Sequence, residues 1–380
     1  MTIQAYIADK IVTEGTTITN HALLVENGLV VGLYELSQIP AQAERIALAG
    51  LTIAPGLVDA QVNGGGGVQF NDDTAPDGCA KIAAAHMAAG TTSSLITLIS
   101  GSDDKITMAL DAVRTCIEKN IAGVLGIHLE GPYLNPARKG AHDVAIIEKA
   151  NPAFLLQQKL AGLGACLITL APERFTSQQL KALFDAGAVL ATGHSAATRE
   201  QLDAAIKSGV TGITHLFNAM GGIYARDPGM SGRALVDDRL ACSIIADGAH
   251  VSAEALHIAD RVKLHGKLFL VSDAMAPAGQ NPPQSFVLDG RTVHVKDRQC
   301  LDESGALAGS AATLFECVRY AVQGAGFDLA HALAMASIYP ARFLNVDDQV
   351  GSFQAGRRAD IIAFDQEMNL KKVFVGGLSL

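Results

Sequence analysis

The chain has 380 residues, of which 49% are apolar and 18% charged, a composition that excludes a disordered or low-complexity protein. Its formal net charge of -9 argues against nucleic acid as a partner, because phosphate backbones are bound by basic faces. We expect a soluble cytoplasmic protein without a membrane partner, since no N-terminal signal pattern and no long apolar run occur. The six cysteines form no Cys-x-x-Cys pair, which indicates reduced thiols.

Both ends of the chain show the alternation of apolar and polar residues that is typical of strands. An Asn27-Gly28 turn separates strands predicted at Ala22–Val25 and Leu29–Leu33. A further strand pair is predicted around Gly356, within residues 350–365. We therefore predict a small β-sandwich domain built from both termini, residues 1–54 and 346–380.

Eight short apolar runs rich in β-branched residues lie between the two ends, each followed by an alanine-rich helical stretch or a loop. The runs are Leu57–Asn63, Thr92–Leu98, Gly123–Glu130, Cys166–Ala171, Val189–His194, Gly212–His215, Cys242–Asp247 and Leu268–Asp273. Eight parallel strands with crossover helices predict an α/β fold, a (β/α)8 TIM-like barrel over residues 55–345. A doubly wound open sheet is the alternative.

The eighth run is followed by a segment with two alternating strands and a turn at Asp289-Gly290, which predicts a β-hairpin insertion near residues 285–301. Helical patterning resumes over Ala311–Ala325 and Leu329–Ser337.

Polar residues end four of the eight runs: Glu130 the third, His194 the fifth, His215 the sixth and Asp273 the eighth. Each alone could be a hydrogen-bonded structural residue or a helix cap. Because barrel active sites lie at the carboxyl ends of the strands, we expect all four at one mouth. Glu130, His194 and His215 form a ligand set that suits a catalytic divalent metal ion. Such an ion lowers the pKa of water, and Asp273 is then a suitable general base.

Motifs along nearly the whole chain resemble the amidohydrolase superfamily and, within it, the N-acetylglucosamine-6-phosphate deacetylases. They include Pro55-Gly56-Leu57-Val58-Asp59, His128-Leu129-Glu130-Gly131-Pro132, Gly193-His194-Ser195, Thr214-His215-Leu216-Phe217-Asn218-Ala219, Ser272-Asp273-Ala274 and Leu307-Ala308-Gly309-Ser310. The resemblance implies hydrolysis of N-acetylglucosamine-6-phosphate to glucosamine-6-phosphate and acetate, in amino-sugar catabolism. It also implies a homodimer.

One departure from the superfamily pattern lies at the end of the first strand, where Gln61-Val62-Asn63 replaces the His-x-His that helps to bind a second metal. Amides are poor ligands beside imidazoles. The resemblance is therefore to the single-metal branch, with one divalent metal ion per chain held by Glu130, His194 and His215. Zinc is expected first, and iron, cobalt and manganese accept the same ligands. Gln61 is expected to contact the activated water or to cap the strand.

The resemblance also assigns substrate contacts. His142 matches the residue that polarises the acetyl carbonyl and serves as the second catalytic residue beside Asp273. Arg226 matches a phosphate-binding arginine of its own or a neighbouring subunit, since a guanidinium can bind two phosphate oxygens at once. His128, two residues before Glu130 on the same strand face, is expected in the core or behind the metal ligands.

The remaining contacts implied by the resemblance surround the sugar. The backbone of Asn218 and Ala219 would cradle the phosphate, while His250 and Leu307 would contact the substrate. The glycine run Gly64–Gly67 fits no nucleotide-binding pattern and is expected to form a tight, mobile loop over the sugar.

Three other functions remain open. A deacetylase for the galactosamine epimer would have the same motifs. A dihydroorotase-like cyclic amidase would usually have His-x-His and a metal-bridging lysine, so Gln61 and Glu130 count against it. A non-catalytic amidohydrolase-like scaffold typically loses metal ligands, whereas this chain has Glu130, His194, His215 and Asp273 together.

Overall fold

The computed structural model of the protein describes residues 3–288, 290–303 and 305–380. One eight-stranded sheet is parallel and nearly closed, and a second eight-stranded sheet is formed by the two ends of the chain. The predicted fold class, a TIM-like barrel with a small β-domain from both termini, is confirmed.

The strands are numbered in chain order. The first five are β1 (Ile3–Thr13), β2 (Thr16–Ile18), β3 (His21–Glu26), β4 (Leu29–Glu35) and β5 (Glu44–Pro55). They are followed by β6 (Leu57–Val62), β7 (Gly64–Gly65), β8 (Val68–Gln69), β9 (Thr91–Ile99), β10 (Val124–Glu130), β11 (Ala165–Leu170), β12 (Val189–Thr192), β13 (Val210–Ile213), β14 (Ala241–Ile245) and β15 (Leu268–Val271). The last are β16 (Phe286–Leu288), β17 (Arg291–Lys296), β18 (Gln299–Leu301), β19 (Leu307–Ser310), β20 (Ile361–Phe364), β21 (Leu370–Val375) and β22 (Leu378–Ser379).

The helices lie mainly between the barrel strands, and several begin at a side-chain cap. They are α1 (Pro76–Ala88), α2 (Asp103–Glu118), α3 (Val144–Lys149), α4 (Pro152–Leu155), α5 (Ser177–Asp185), α6 (Arg199–Lys207), α7 (Gly229–Val236), α8 (Ala253–Val262), α9 (Leu314–Arg319), α10 (Leu329–Met335) and α11 (Ile338–Phe343). Capping boxes begin α5 at Thr176 and α6 at Thr198. Among the described residues, no helix has the length and apolar character needed to span a bilayer.

The barrel is built from β6 and β9 to β15, each strand parallel to the next in chain order. Every residue of β9 is buried, as expected for a strand covered on both faces. A parallel bridge between Val62 and Ala274, just beyond β15, joins the first strand to the last. The eight predicted runs match the eight strands, and the polar residues that end them therefore reach one mouth.

The terminal sheet has the strand order β22-β21-β20-β5-β1-β3-β4, with β2 paired to β1. Neighbouring residues face opposite sides, so that Tyr6 and Leu23 pack in one hydrophobic cluster while Ala5 and Leu24 pack in another. The predicted strand pair around Gly356 is only partly formed. Backbone hydrogen bonds of 2.8 Å tie Gly356 and Arg357 to Val30, and the regular strand β20 begins later.

The insertion after the barrel is larger than the predicted hairpin, because β16 to β19 form a four-stranded antiparallel sheet. Asp289 of the predicted turn lies outside the described residues. The second turn of this sheet contains Asp297 and Arg298, with φ of 48° and 64°. Because Asp297-Arg298 contains neither glycine nor proline, this turn was not recognised in the sequence, and the third and fourth strands were not predicted.

The glycine run forms part of a tight hairpin. Gly64 and Gly65 are buried and pair with Val68 and Gln69 in a two-stranded hairpin. A Cβ on Gly64 would lie 2.5 Å from the carbonyl oxygen of Val68, so only glycine fits there. Gly64 and Gly65 therefore belong to a packed hairpin beside the end of β6, while the mobility of the exposed Gly66 and Gly67 stays a prediction.

Candidate active site

A group of three buried side chains lies at the carboxyl end of the barrel. Glu130 ends β10, and His194 and His215 follow the ends of β12 and β13. Glu130 Oε1 lies 2.9 Å from His215 Nε2 and 3.2 Å from His194 Nε2, and the two Nε2 atoms are 3.0 Å apart. The structure thus brings together the three predicted metal ligands, whose ligand atoms all lie within 4.8 Å of one another.

The hydrogen bonds and pKa directions of these three residues suit the binding of a divalent cation. His194 Nδ1 donates to the Arg138 carbonyl at 2.8 Å, which orients the ring so that Nε2 faces Glu130 and His215. Burial would raise the pKa of Glu130, but hydrogen bonds with His194 and His215 hold it well below its usual range. Burial would lower the pKa of His215, but the Glu130 carboxylate raises it. A divalent cation can replace the proton shared by Glu130 and the histidines, because metal ligands bind in their deprotonated forms.

The backbone at this mouth adopts an unusual conformation. His194, His215 and Asp273 have φ of 49°, 33° and 50°, in the left-handed region that residues other than glycine rarely adopt. Such conformations are concentrated at functional sites because the surrounding structure must enforce them. Here they turn each side chain inward just after its strand ends.

The Asp273 carboxylate is held on one side by two amides. Asn63 Nδ2 donates to Oδ1 at 2.7 Å and Gln61 Nε2 donates to the same oxygen at 3.0 Å. Burial, followed by the charge of Glu130, raises the pKa of Asp273 to about 6. A carboxylate with a pKa near neutrality can both accept and return a proton.

His142 lies beside the histidine pair, and its tautomer is fixed by its neighbours. The backbone N–H of Ser100 donates to His142 Nδ1 at 3.3 Å, and the Ser100 hydroxyl lies 2.8 Å from the same atom. The proton of the neutral ring is therefore on Nε2, which is 3.9 Å from Glu130 Oε2, too far for a hydrogen bond. Burial and then His194 lower the pKa of His142 to about 3, so the ring is a neutral donor.

These groups face a cavity of about 330 Å³. Its lining contains nine of the predicted site residues: Glu130, His142, His194, His215, Asn218, Ala219, His250, Asp273 and Leu307. It also contains Asn63, Arg138, Lys139 and Met275, which were not predicted to line a site. The Gln61-Val62-Asn63 pattern could have pointed to Asn63 as well as to Gln61, whereas no sequence signal marked the two cations.

Two predicted residues lie elsewhere. Gln61 is not part of the cavity lining, and its amide is bound to Asp273. Arg226 lies on an exposed loop and lines a second cavity of about 720 Å³. Arg138 borders both cavities.

Two of the lining residues have hydrogen bonds that limit what they can offer a ligand. His250 Nδ1 donates to Asp247 Oδ2 at 2.7 Å, so only its Nε2 is left for a ligand. The backbone N–H of Asn218 already donates to the His215 carbonyl at 2.9 Å. Its side-chain amide donates weakly to the Leu216 carbonyl at 3.4 Å, so both hydrogen bonds of Asn218 are made within one local turn.

His128 is a buried structural residue, in agreement with its predicted place in the barrel core. Its ring nitrogens lie 2.7 Å from the Thr169 hydroxyl and 3.3 Å from the Thr97 hydroxyl. Burial lowers the pKa of His128 to about 4, so the ring is neutral.

A parallel barrel that carries two histidines and a carboxylate beside a second carboxylate at one mouth is typical of metal-dependent hydrolases. The Amidohydrolase family profile matches residues 52–379, and the chain belongs to this family.

Similar proteins extend over the whole chain. The N-acetylgalactosamine-6-phosphate deacetylase of Shewanella sp. (strain ANA-3) is 35% identical, covering 98% of this chain and 95% of its own. The N-acetylglucosamine-6-phosphate deacetylase of Haemophilus influenzae is 32% identical, covering 98% of each chain. The crystal structure of N-acetylglucosamine-6-phosphate deacetylase from Pasteurella multocida has a TM-score of 0.94 at 34% identity, covering 100% of this chain and 99% of that one.

Proposed function

We propose that the protein hydrolyses N-acetylglucosamine-6-phosphate to glucosamine-6-phosphate and acetate, in cytoplasmic amino-sugar catabolism. The observation that carries this proposal is the meeting of three elements in one cavity: the Glu130, His194 and His215 group, the carboxylate of Asp273, and the neutral donor His142. Amide hydrolysis needs an activated water, a base and an oxyanion donor, and these elements supply them. The names of the similar proteins support a phosphorylated amino sugar as the substrate.

In the proposed mechanism, Glu130, His194 and His215 hold one divalent cation per chain, with zinc expected first. The bound cation would lower the pKa of water and polarise the acetyl carbonyl. Asp273 takes the proton from the attacking water and later delivers it to the amine nitrogen that leaves. His142 Nε2–H donates to the acetyl oxygen as negative charge develops there.

The sugar and its phosphate are proposed to occupy the rest of the cavity. His250 Nε2 would accept from a sugar hydroxyl, and Leu307 would pack against the ring. Asn218 and Ala219 would lie at the phosphate end, in a turn where Ala219 has a left-handed φ of 51°. Arg226 is the proposed phosphate ligand. Because it lines the second cavity, it would act from the loop of its own chain or from the second subunit of a homodimer.

An acetate-release assay tests the proposed substrate. N-acetylglucosamine-6-phosphate should be hydrolysed with a higher kcat/KM than the unphosphorylated sugar, because a phosphate contact contributes charged hydrogen bonds. N-acetylgalactosamine-6-phosphate is the third substrate of the assay, since similar proteins are named as deacetylases of either phosphorylated sugar. Faster turnover of the epimer would replace the glucosamine assignment, and no acetate from any of the three would contradict the deacetylase function.

A substitution at Arg226 tests the phosphate contact separately. Loss of one charged hydrogen-bonding partner should raise KM for the phosphorylated sugar about 10- to 100-fold. The unphosphorylated sugar should be affected little by Arg226→Ala, because His142 and Asp273 are unchanged. Arg199→Ala is the matched control, since Arg199 lines the same second cavity. Equal losses on both sugars would show that Arg226 supports the loop instead.

A further inference from the structure

The two amides at the end of β6 converge on one oxygen of Asp273. Asn63 Nδ2 and Gln61 Nε2 both donate to Oδ1, at 2.7 and 3.0 Å. In the part of the chain that the structure describes, Oδ2 receives no hydrogen bond from the protein. The two oxygens of one carboxylate therefore differ: one is bound, and the other is left for a ligand at the cavity.

The orientation of the Asn63 amide follows from its partner. A carboxylate accepts hydrogen bonds, so the nitrogen of Asn63 must face Asp273 and its oxygen must point away. Asn63 Oδ1 is buried and has no hydrogen-bond partner among the described residues, and Asn63 lines the cavity while Gln61 does not. Asn63 therefore lies between the base and the ligand space, and Gln61 supports the base from behind.

The backbone that carries Asp273 is held by other contacts. The Asp273 carbonyl accepts from the Ser310 N–H at 3.1 Å, and the next carbonyl, of Ala274, accepts from the N–H of Asn63 at 2.8 Å. On the other side, the buried Asp59 carboxylate accepts from the Ser272 hydroxyl. Since these contacts do not involve the two amide side chains, the amides fix the rotamer of Asp273 and not the path of the chain.

We infer that Gln61 and Asn63 are positioning residues that hold Asp273 by Oδ1 so that Oδ2 is the oxygen that takes the proton. The inference rests on the proposed function, because it needs Asp273 to be the base. A carboxylate that rotates freely places its basic oxygen correctly for only part of the time, and misplacement at a reacting centre is costly. Two donors on Oδ1 also direct the incoming proton to the other oxygen, since the lone pairs of Oδ1 are occupied.

The test uses near-isosteric variants that lack the donor, Gln61→Met and Asn63→Leu, in the metal-loaded protein. Each should lower kcat about 10- to 100-fold, the range for loss of a hydrogen bond to a charged group. KM should change less than about 3-fold and bound metal should be unchanged, because the substrate and the cation keep their ligands. Gln158→Met is the matched control: Gln158 donates to the Phe154 carbonyl away from the site, and its loss should leave kcat unchanged.

The same variants combined with Asp273→Asn decide whether the amides act through Asp273. If the amides act by positioning Asp273, adding either change to Asp273→Asn should lower kcat by less than about 3-fold further, because the oriented base is already gone. Losses that multiply would overturn the inference and assign Asn63 to the substrate through its free Oδ1. A raised KM with normal kcat, or loss of metal, would also overturn it. If Asp273→Asn itself retained normal turnover, the proposed mechanism would fail instead, so the two failures are distinguishable.

Discussion

Asp273→Asn is expected to lower kcat by about 100- to 10,000-fold, the usual contribution of a general base, while metal content and substrate binding persist. Asn has the shape of Asp but cannot take a proton. Its side-chain oxygen can still accept from Asn63 and Gln61, so the local packing is preserved. Steady-state kinetics, elemental analysis and a binding isotherm with the phosphorylated sugar measure the three quantities on one preparation.

The pH profile gives the same substitution a second readout. Burial raises the pKa of Asp273 to about 6, and a bound cation opposes this by favouring the charged form. The base is active when deprotonated, so kcat/KM should fall at low pH, with an apparent pKa no higher than about 6 for the acid limb of the profile. Asp273→Asn should remove this dependence from the residual activity.

Asp260→Asn is the matched control for Asp273→Asn. Asp260 is a half-buried carboxylate like Asp273 and lies 2.7 Å from His331, but it is on α8 outside the cavity. Its substitution should leave kcat and the acid limb unchanged. Near-normal turnover of Asp273→Asn beside an active control would exclude Asp273 as the base.

The barrel and its mouth could be predicted from the sequence because both depend on local patterns. Strands covered on two faces form continuous apolar runs, and Glu130, His194, His215 and Asp273 end four of them. Once the strands are parallel, their ends must converge, so the cluster follows from the chain order. The resemblance also pointed to His142, which lines the same cavity.

The parts that were not predicted depend on contacts between segments far apart in the chain. Gln61 and Asn63 have no sequence signal for a hydrogen bond to a residue more than 200 positions away, and Gln61, expected beside water or as a strand cap, donates to Asp273. Arg138 and Lys139 read as ordinary surface cations until the fold places them at the cavity. The close packing that requires glycine at position 64 is likewise invisible in the sequence, because it depends on the carbonyl of Val68 and the backbone of Ala276.

Loss of either histidine of the cluster is the second large effect that we expect. His194→Ala and His215→Ala each remove one of three proposed ligands, and the remaining pair binds a divalent cation weakly. Removing even an outer partner of a metal ligand typically costs about 10- to 100-fold in affinity, so loss of a ligand itself should cost at least that much. Both variants should therefore lose most of the bound metal and nearly all turnover.

The fold should survive these substitutions, because backbone contacts hold both segments. The Asn135 N–H donates to the His194 carbonyl at 2.9 Å, and the Leu216 N–H, next to His215, donates to the Ser243 carbonyl at 2.7 Å. His257→Ala, on the outer helix α8, is the matched control and should keep both metal and activity. Elemental analysis beside circular dichroism separates loss of metal from unfolding. Full metal content in both variants would contradict the three-ligand site. Two metals per active chain in the unaltered protein would also contradict it, since the amides of Gln61 and Asn63 are engaged by Asp273 and supply no second set of ligands.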